Sequence, residues 1–477
     1  MNIEKKILVL IFLIALLLRF TPIILFQSPV LYDYAYHERM ANKIISLQDI
    51  PLIDESLNGR PYSYAPFYHL LLAFLSIVSG LSVKNILMFL LPFIASLFCL
   101  SLYVFLRKIT TEFNALLGAF FAAIAPPLIS ASFDSPENIV FFSLPLILFL
   151  IFEKKNFFAA IFFSLNLFWN YFAFILSLPA FFLGFFKEKN LIKKTIICLA
   201  VSLILFIFLV NFSFSMQSVQ SGTNFVANNL KNVMIPLIFN FAVIVLPLFF
   251  YAFNKLYNNY LKFWFSHALI SFLAMLSYPL TVIFRPWEQP KFFALGSIVL
   301  FSSIKRNKLF ELFFLIVLLL SSFLALSFSF QVIYPKVTNA DLKALSFALQ
   351  NAGDKKILAE PTLSEVIMNY SKDEKKVLTA LYFEASNNDT ANAALEFLGS
   401  KNLGGIENET IFFKQNNIGL VMLNFEDSFV RGTKEFNEKS YLNKIYSLSY
   451  NGTCFSFLSN SALCGNQETM IYAFNVT

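Results

Sequence analysis

Long apolar runs separated by short basic clusters fill the first two thirds of the chain. A membrane-spanning helix needs about 20 apolar residues. Runs of this kind recur at 7–26, 84–106, 113–130, 138–152, 157–170, 171–186, 194–213, 232–253, 263–283, 288–304 and 309–330. The stretches 138–152, 157–170 and 288–304 are short, so tilted, merged or re-entrant segments stay open there. The run at 7–26 follows Lys5 and Lys6 and lacks a small-residue cleavage site, which predicts an uncleaved span rather than a signal peptide.

Orientation follows from the basic clusters. Lys5/Lys6, Arg107/Lys108, Lys154/Lys155, Lys187/Lys189/Lys193/Lys194, Lys255/Lys262 and Lys305/Arg306/Lys308 fall between alternate runs. Basic loops stay in the cytoplasm. The pattern therefore predicts a polytopic α-helical protein of the cell membrane with about eleven spans, a cytoplasmic N-terminus and an extracytoplasmic C-terminal region.

Residues 1–331 read as this membrane domain, with a long first external loop at 27–83. The pattern changes at 332–477, where apolar runs are short and turn residues frequent. A small extracytoplasmic α/β domain is predicted there, with helices at 341–351 and 365–371 and strands at 356–359, 376–381 and 418–424. Cys454 and Cys464 are close enough in sequence to close a small disulfide loop, and sequons occur at Asn369, Asn388, Asn408, Asn451 and Asn475. Both features suit an external location. Cys99 and Cys198 lie within apolar runs and read as packing residues.

Composition agrees with the pattern. Of 477 residues, 57% are hydrophobic, 14% charged and 62 are Phe. A soluble domain carries roughly 25% charged residues. The net charge of +7 does not point to nucleic acid, because the lysines cluster between apolar runs.

This topology leaves three polar stretches outside. The first external loop opens on LYDYAYHERMANKII, in which Asp33 and His37 are spaced to share one helix face, with Tyr36 and Glu38 beside them. Its later part, 67–79, is apolar enough to lie along the membrane interface. The second stretch, SASFDSPENIV, follows Pro126–Pro127 and carries Asp134 and Glu137. Asp33, Asp134 and Glu137 would supply hard oxygen ligands, which suit Mg²⁺ or Mn²⁺. The third, RPWEQPKF, carries Arg285 and Lys291, a pair suited to phosphate oxygens. Each stretch also has a plain structural reading: Asp134 as a helix N-cap, Arg285 and Lys291 as interfacial anchors, and Arg19 as a side chain snorkelling from the first span.

Taken together, these residues resemble the GT-C superfamily of polyprenyl-phosphate-dependent membrane glycosyltransferases, the group of oligosaccharyltransferase catalytic subunits and protein mannosyltransferases. DYAYHERMANKI is similar to the first acidic motif of oligosaccharyltransferases, and FDSPEN to the second. RPYSYAPFYHLLLAFLSIVSGLS resembles the interfacial helix before the second span, and FWNYFAFILSLPAFFLGFFKEKN the aromatic turn between a following pair of spans. The resemblance covers most of 1–190 and implies a GT-C-like fold.

It further implies a polyprenyl-phosphate-linked sugar donor and a protein, lipid or glycan acceptor on the external face. Asp33 would be the first-loop catalytic carboxylate, Asp134 and Glu137 the second-loop acids that help hold the metal, and Arg285 the contact to the donor phosphate. Tyr36, His37 and Lys291 complete the substrate-binding candidates. The chain departs from oligosaccharyltransferases in lacking a Trp-Trp-Asp string, its Trp residues being Trp169, Trp264 and Trp287. ILAEPTLSEVIMNYS stands near that place, so an acceptor other than a sequon fits better. A polyprenyl-linked sugar flippase and a non-catalytic surface assembly protein are the rival readings; the first is expected to show ionisable residues or broken helices near the midplane in repeated halves, whereas the sequence displays no internal repeat and few midplane charges.

Overall fold

The computed structural model describes residues 3–26, 34–51, 53–54, 60–62, 66–125, 128–129, 132, 137–209, 259–276, 295–296, 298–300, 302–303, 339–359, 361–371, 377, 397–398, 406–423, 442–450 and 467–474. The chain divides into two compact units. The first comprises Met1–Leu25, Ser63–Phe212 and Ala227–Ile333, and the second Phe26–Tyr62, Ser213–Val226 and Tyr334–Thr477.

The described part of the first unit is helical. In chain order it contains α1 (Ile3–Phe26), then, after α2 (Tyr34–Leu47) and the short strands β1 (Ile53–Asp54) and β2 (Arg60–Pro61) of the other unit, α3 (Pro66–Ser79) and α4 (Val83–Ile109). There follow α5 (Glu112–Ile124), α6 (Glu137–Phe152), α7 (Asn156–Trp169), α8 (Tyr171–Phe185), α9 (Lys189–Leu209) and α10 (Asn259–Leu276).

Caps place several helix starts. Thr111 accepts from the Asn114 amide to open α5, and Asn170 accepts from the Ala173 amide at 2.9 Å to open α8. Helix α5 stops at Ile124, just before Pro126–Pro127, although the apolar run continues to 130; proline cannot donate an amide or accommodate the preceding turn. Two helical stretches among the described residues, Val83–Ile109 and Lys189–Ile207, are long and apolar enough to cross a membrane, and shorter apolar helices accompany them. The predicted runs at 232–253 and 309–330 lie outside the described residues.

Phenylalanine does much of the packing. Phe163 stacks on Phe181 at 4.2 Å between α7 and α8, and Phe67 stacks on Phe168 at 4.8 Å, tying α3 to α7. On α9, Ile197, Val201, Ile204 and Ile207 form a stripe in which each side chain is more than half exposed. Such a face suits hydrocarbon rather than water.

Ion pairs gather four helix ends. Arg107, at the end of α4, lies 3.6 Å from Glu4 of α1 and 3.3 Å from Glu112 of α5, and Lys108 lies 2.7 Å from Glu153 after α6. The basic clusters at Lys5/Lys6, Arg107/Lys108 and Lys154/Lys155 therefore occupy one end of this helix group.

The described C-terminal part of the second unit contains α11 (Asn339–Ala352), β3 (Lys356–Ala359), α12 (Pro361–Ser371), α13 (Ile406–Gln415), β4 (Ile418–Leu423), β5 (Leu442–Tyr450) and β6 (Gln467–Phe474). The strands form a mixed sheet in the order β3-β4-β6-β5. Strands β3 and β4 run parallel, with Leu358 opposite Val421, and β4 and β6 run antiparallel, with Val421 opposite Tyr472. Strand β4 is buried along its whole length, as a central strand covered on both faces should be.

Helix α11 packs on the sheet and ends at Gly353, whose φ of +52° is the left-handed conformation that closes a helix. Of the predicted strand 376–381, Val377 makes a single parallel bridge to Ile357. Residues 378–381 lie outside the described residues, as do Cys454, Cys464, Asn388, Asn451 and Asn475.

Candidate active site

Helix α2 begins at Tyr34, directly after Asp33, and its sequence YAYHERMANKIISL buries the face carrying Tyr34, Tyr36, His37, Met40, Ala41 and Ile44. This face packs on α12 within the second unit. Tyr36 lies edge-on to His37 at 5.5 Å, and the Arg39 guanidinium stands 5.6 Å from the Tyr36 ring centroid. Both substrate-binding candidates on α2 are thus packed side chains, with Tyr36 3% and His37 1% exposed.

Arg39 organises the polar centre of this packing. Its Nη1 donates to Asp54 Oδ1 at 2.8 Å and its Nη2 to Asp54 Oδ2 at 3.3 Å. On its other side Nε and Nη2 donate to Glu365 Oε2 at 3.3 and 3.0 Å. All three residues are buried, so one planar guanidinium joins the first-loop helix, the β1–β2 hairpin and α12. The hairpin pairs Asp54 with Arg60 and Ile53 with Pro61, which brings Tyr62 back beside Asp54.

Two tyrosines around this centre resist ionisation. Burial pushes the Tyr34 phenol well above its ordinary value, and nearby Tyr370, Glu38 and Asp341 push it further. Burial does the same to Tyr62, with the Asp54 charge adding to the effect. The Tyr34 hydroxyl meets no hydrogen-bond partner among the described residues.

In the first unit, the second acidic stretch is approached through Arg19. The snorkelling expected of Arg19 is not observed: it is fully buried and turned into the protein. Its Nε donates to Ser132 Oγ at 2.7 Å, and Nη1 donates to the carbonyls of Ala15 and Ala123, each at 3.1 Å. The carbonyl oxygens at the C-terminal end of α5 carry partial negative charge and suit a buried cation, which removes the drive to reach the interface. Ser132 precedes Asp134 by two residues, and Glu137 is the first residue of α6.

Asp33, Asp134, Arg285 and Lys291 lie outside the described residues, and of Glu137 only the backbone is described. Among the described residues no three His, Cys, Asp or Glu side chains form a group able to hold a metal ion. Sequence reading did not single out Arg39, Asp54 or Glu365. Glu365 had a local signal, since it sits in SEVIM, a stretch apolar enough to bury an acid only beside a cation.

No protein-family model and no curated protein match the chain. Solved structures do. The archaeal oligosaccharyltransferase AglB from Archaeoglobus fulgidus, in complex with an inhibitory peptide and a dolichol-phosphate, aligns with a TM-score of 0.61 at 15% identity, covering 94% of this chain and 73% of that one. A structure of the Archaeoglobus fulgidus oligosaccharyltransferase with Zn and sulfate gives the same TM-score of 0.61 at 15% identity, covering 94% and 72%. The arabinofuranosyltransferase AftD from Mycobacteria aligns with a TM-score of 0.51 at 12% identity, over 100% of this chain and 42% of that one. The chain accordingly shares the fold of these archaeal oligosaccharyltransferase and mycobacterial arabinofuranosyltransferase structures.

Proposed function

We propose that this protein moves a sugar or oligosaccharide from a polyprenyl-phosphate or polyprenyl-pyrophosphate donor to an acceptor on the extracytoplasmic face of the cell membrane. The observation that carries this reading is the GT-C fold likeness over 94% of the chain, in a sequence whose acids stand directly before α2 and at the start of α6. The archaeal relative was solved with a dolichol-phosphate, a lipid of the chemistry proposed for the donor.

On this reading an acceptor nucleophile attacks the anomeric carbon of the donor sugar. The bond from that carbon to the lipid-phosphate oxygen breaks, its electron pair leaves with the phosphate, and the new bond forms to the acceptor. Asp33 takes the acceptor's proton or orients the nucleophile. Arg285 and Lys291 offset the charge that develops on the leaving phosphate. Asp33, Asp134 and Glu137 would hold Mg²⁺ or Mn²⁺, an ion whose chemistry is to neutralise a departing phosphate. Tyr36 and His37 brace the helix that Asp33 precedes. The acceptor is a protein, lipid or glycan, and the absence of a Trp-Trp-Asp string favours one that is not a sequon.

The ion pairs that join the ends of α1, α4, α5 and α6 support placing their basic clusters together on the cytoplasmic side. The test is release of polyprenyl phosphate from a labelled polyprenyl-phosphohexose by purified protein in the presence of native membrane acceptors. Asp33→Ala and Asp134→Ala should each abolish release without loss of expression, and full activity in both variants would end the proposal.

A further inference from the structure

Asp33 is covalently joined to Tyr34, and Tyr34 is fixed inside the second unit with 1% exposure. The helix that follows is anchored to α12 by a residue 326 positions away in sequence, Glu365. We infer that Arg39, Asp54 and Glu365 form a buried clamp through which the C-terminal region sets the position of the first-loop carboxylate; this rests on Asp33 having the role proposed above.

The charges explain why the clamp is specific. Two buried carboxylates share one guanidinium, so Arg39 is held from two directions: by Asp54 within its own loop and by Glu365 from α12. Asp54 alone would neutralise Arg39 and fold the loop on itself. Glu365 adds nothing to that local pairing; its role is to bind the loop to a helix encoded more than 300 residues later. Ser364 continues the chain of contacts by donating to the Ala359 carbonyl at 3.2 Å, which connects α12 to the sheet strand β3. A displacement of α12 is therefore transmitted to α2. Misplacing a reacting group by about 1 Å can cost about 100-fold in rate. The clamp residues are positioning residues, since none is proposed to touch substrate.

Glu365→Gln is the informative variant. It keeps shape and an acceptor oxygen, and it leaves the Arg39–Asp54 pair neutral, so the unit still folds. Hydrogen exchange on the full-length protein should show the amides of Tyr34–Leu47 exchanging about 10-fold faster, the effect of weakening a charge-assisted bond, with β4 and β6 unchanged. Polyprenyl-phosphate release should fall about 10-fold or more, with the donor KM unaltered. Val421→Ala, a core change in the same sheet, provides the control for general destabilisation and should leave α2 exchange unaltered. Unchanged α2 exchange in Glu365→Gln, or faster exchange with full release, would overturn the inference. Should the natural protein release no polyprenyl phosphate at all, the proposed function falls, and the exchange result alone decides whether Glu365 holds α2.

Discussion

The ionisable residues of the second unit are arranged around burial as much as around charge. Arg39 pairs with two carboxylates that water cannot reach, and removing it would take the guanidinium from both, a change that typically costs about 3–5 kcal/mol. Tyr34 shows the same logic for a neutral group. Its raised phenol pKa means that the unfolded chain ionises first as pH rises. The stability this tyrosine contributes is complete below the unfolded value of about 10 and is lost as pH climbs from there toward the folded value. Tyr34→Phe should therefore unfold at a higher pH than the natural protein. At neutral pH it should change stability by less than about 1 kcal/mol, because the lost hydroxyl has no hydrogen-bond partner among the described residues. Alkaline unfolding of the detergent-solubilised protein, followed by tyrosinate absorbance and circular dichroism, checks both statements; an earlier alkaline transition in the variant would contradict them.

Between elements, small residues set how closely helices approach. A Cβ added at Gly184 of α8 would stand 2.8 Å from the Cβ of Phe263 and 3.0 Å from its Cα, so relief requires α10 itself to move. Close approach at small residues is a common way for helices to associate in lipid. Gly184→Ala should destabilise the protein by about 1–3 kcal/mol, and a thermal unfolding midpoint equal to that of the natural protein would refute the packing account.

The same scale shows what the sequence could and could not disclose. Helix positions from α3 to α10 were readable wherever apolar period and breaker coincided, as at Pro126–Pro127. The wholly apolar IGLVML of β4 announced a buried strand. Strands β5 and β6 were missed because β5 is an edge strand with Asn443, Lys444 and Ile445 all exposed, and a register shift interrupts its alternation. Helix α13 was missed as well; its IENETIFFKQ mixes acids with an apolar pair, and its buried side carries Phe413, which packs on Phe474 at 4.9 Å and on Phe397 at 5.2 Å. Of the candidate site, the acids flanking α2 and α6 were legible as motif-like strings. The clamp was not, because a pair separated by 326 residues has no local period.

At the scale of the molecule, the reading depends on which side of the membrane each region meets. The ion pairs from Arg107 to Glu4 and Glu112, and from Lys108 to Glu153, make the ends of four helices report together, so one position speaks for all of them. Lys155 is exposed beside this group, and Glu407 is exposed at the start of α13. In a background with Cys99, Cys198, Cys454 and Cys464 replaced, a membrane-impermeant maleimide should label Glu407→Cys on intact cells and leave Lys155→Cys untouched until the membrane is opened. Basic loops resist translocation, which favours this outcome from charge alone. The opposite pattern would carry Asp33, through the clamp that binds α2 to α12, to the cytoplasmic side together with Glu407, since both belong to the second unit. An extracytoplasmic transfer would then lack Asp33, the carboxylate proposed for it, at the face where the acceptor waits.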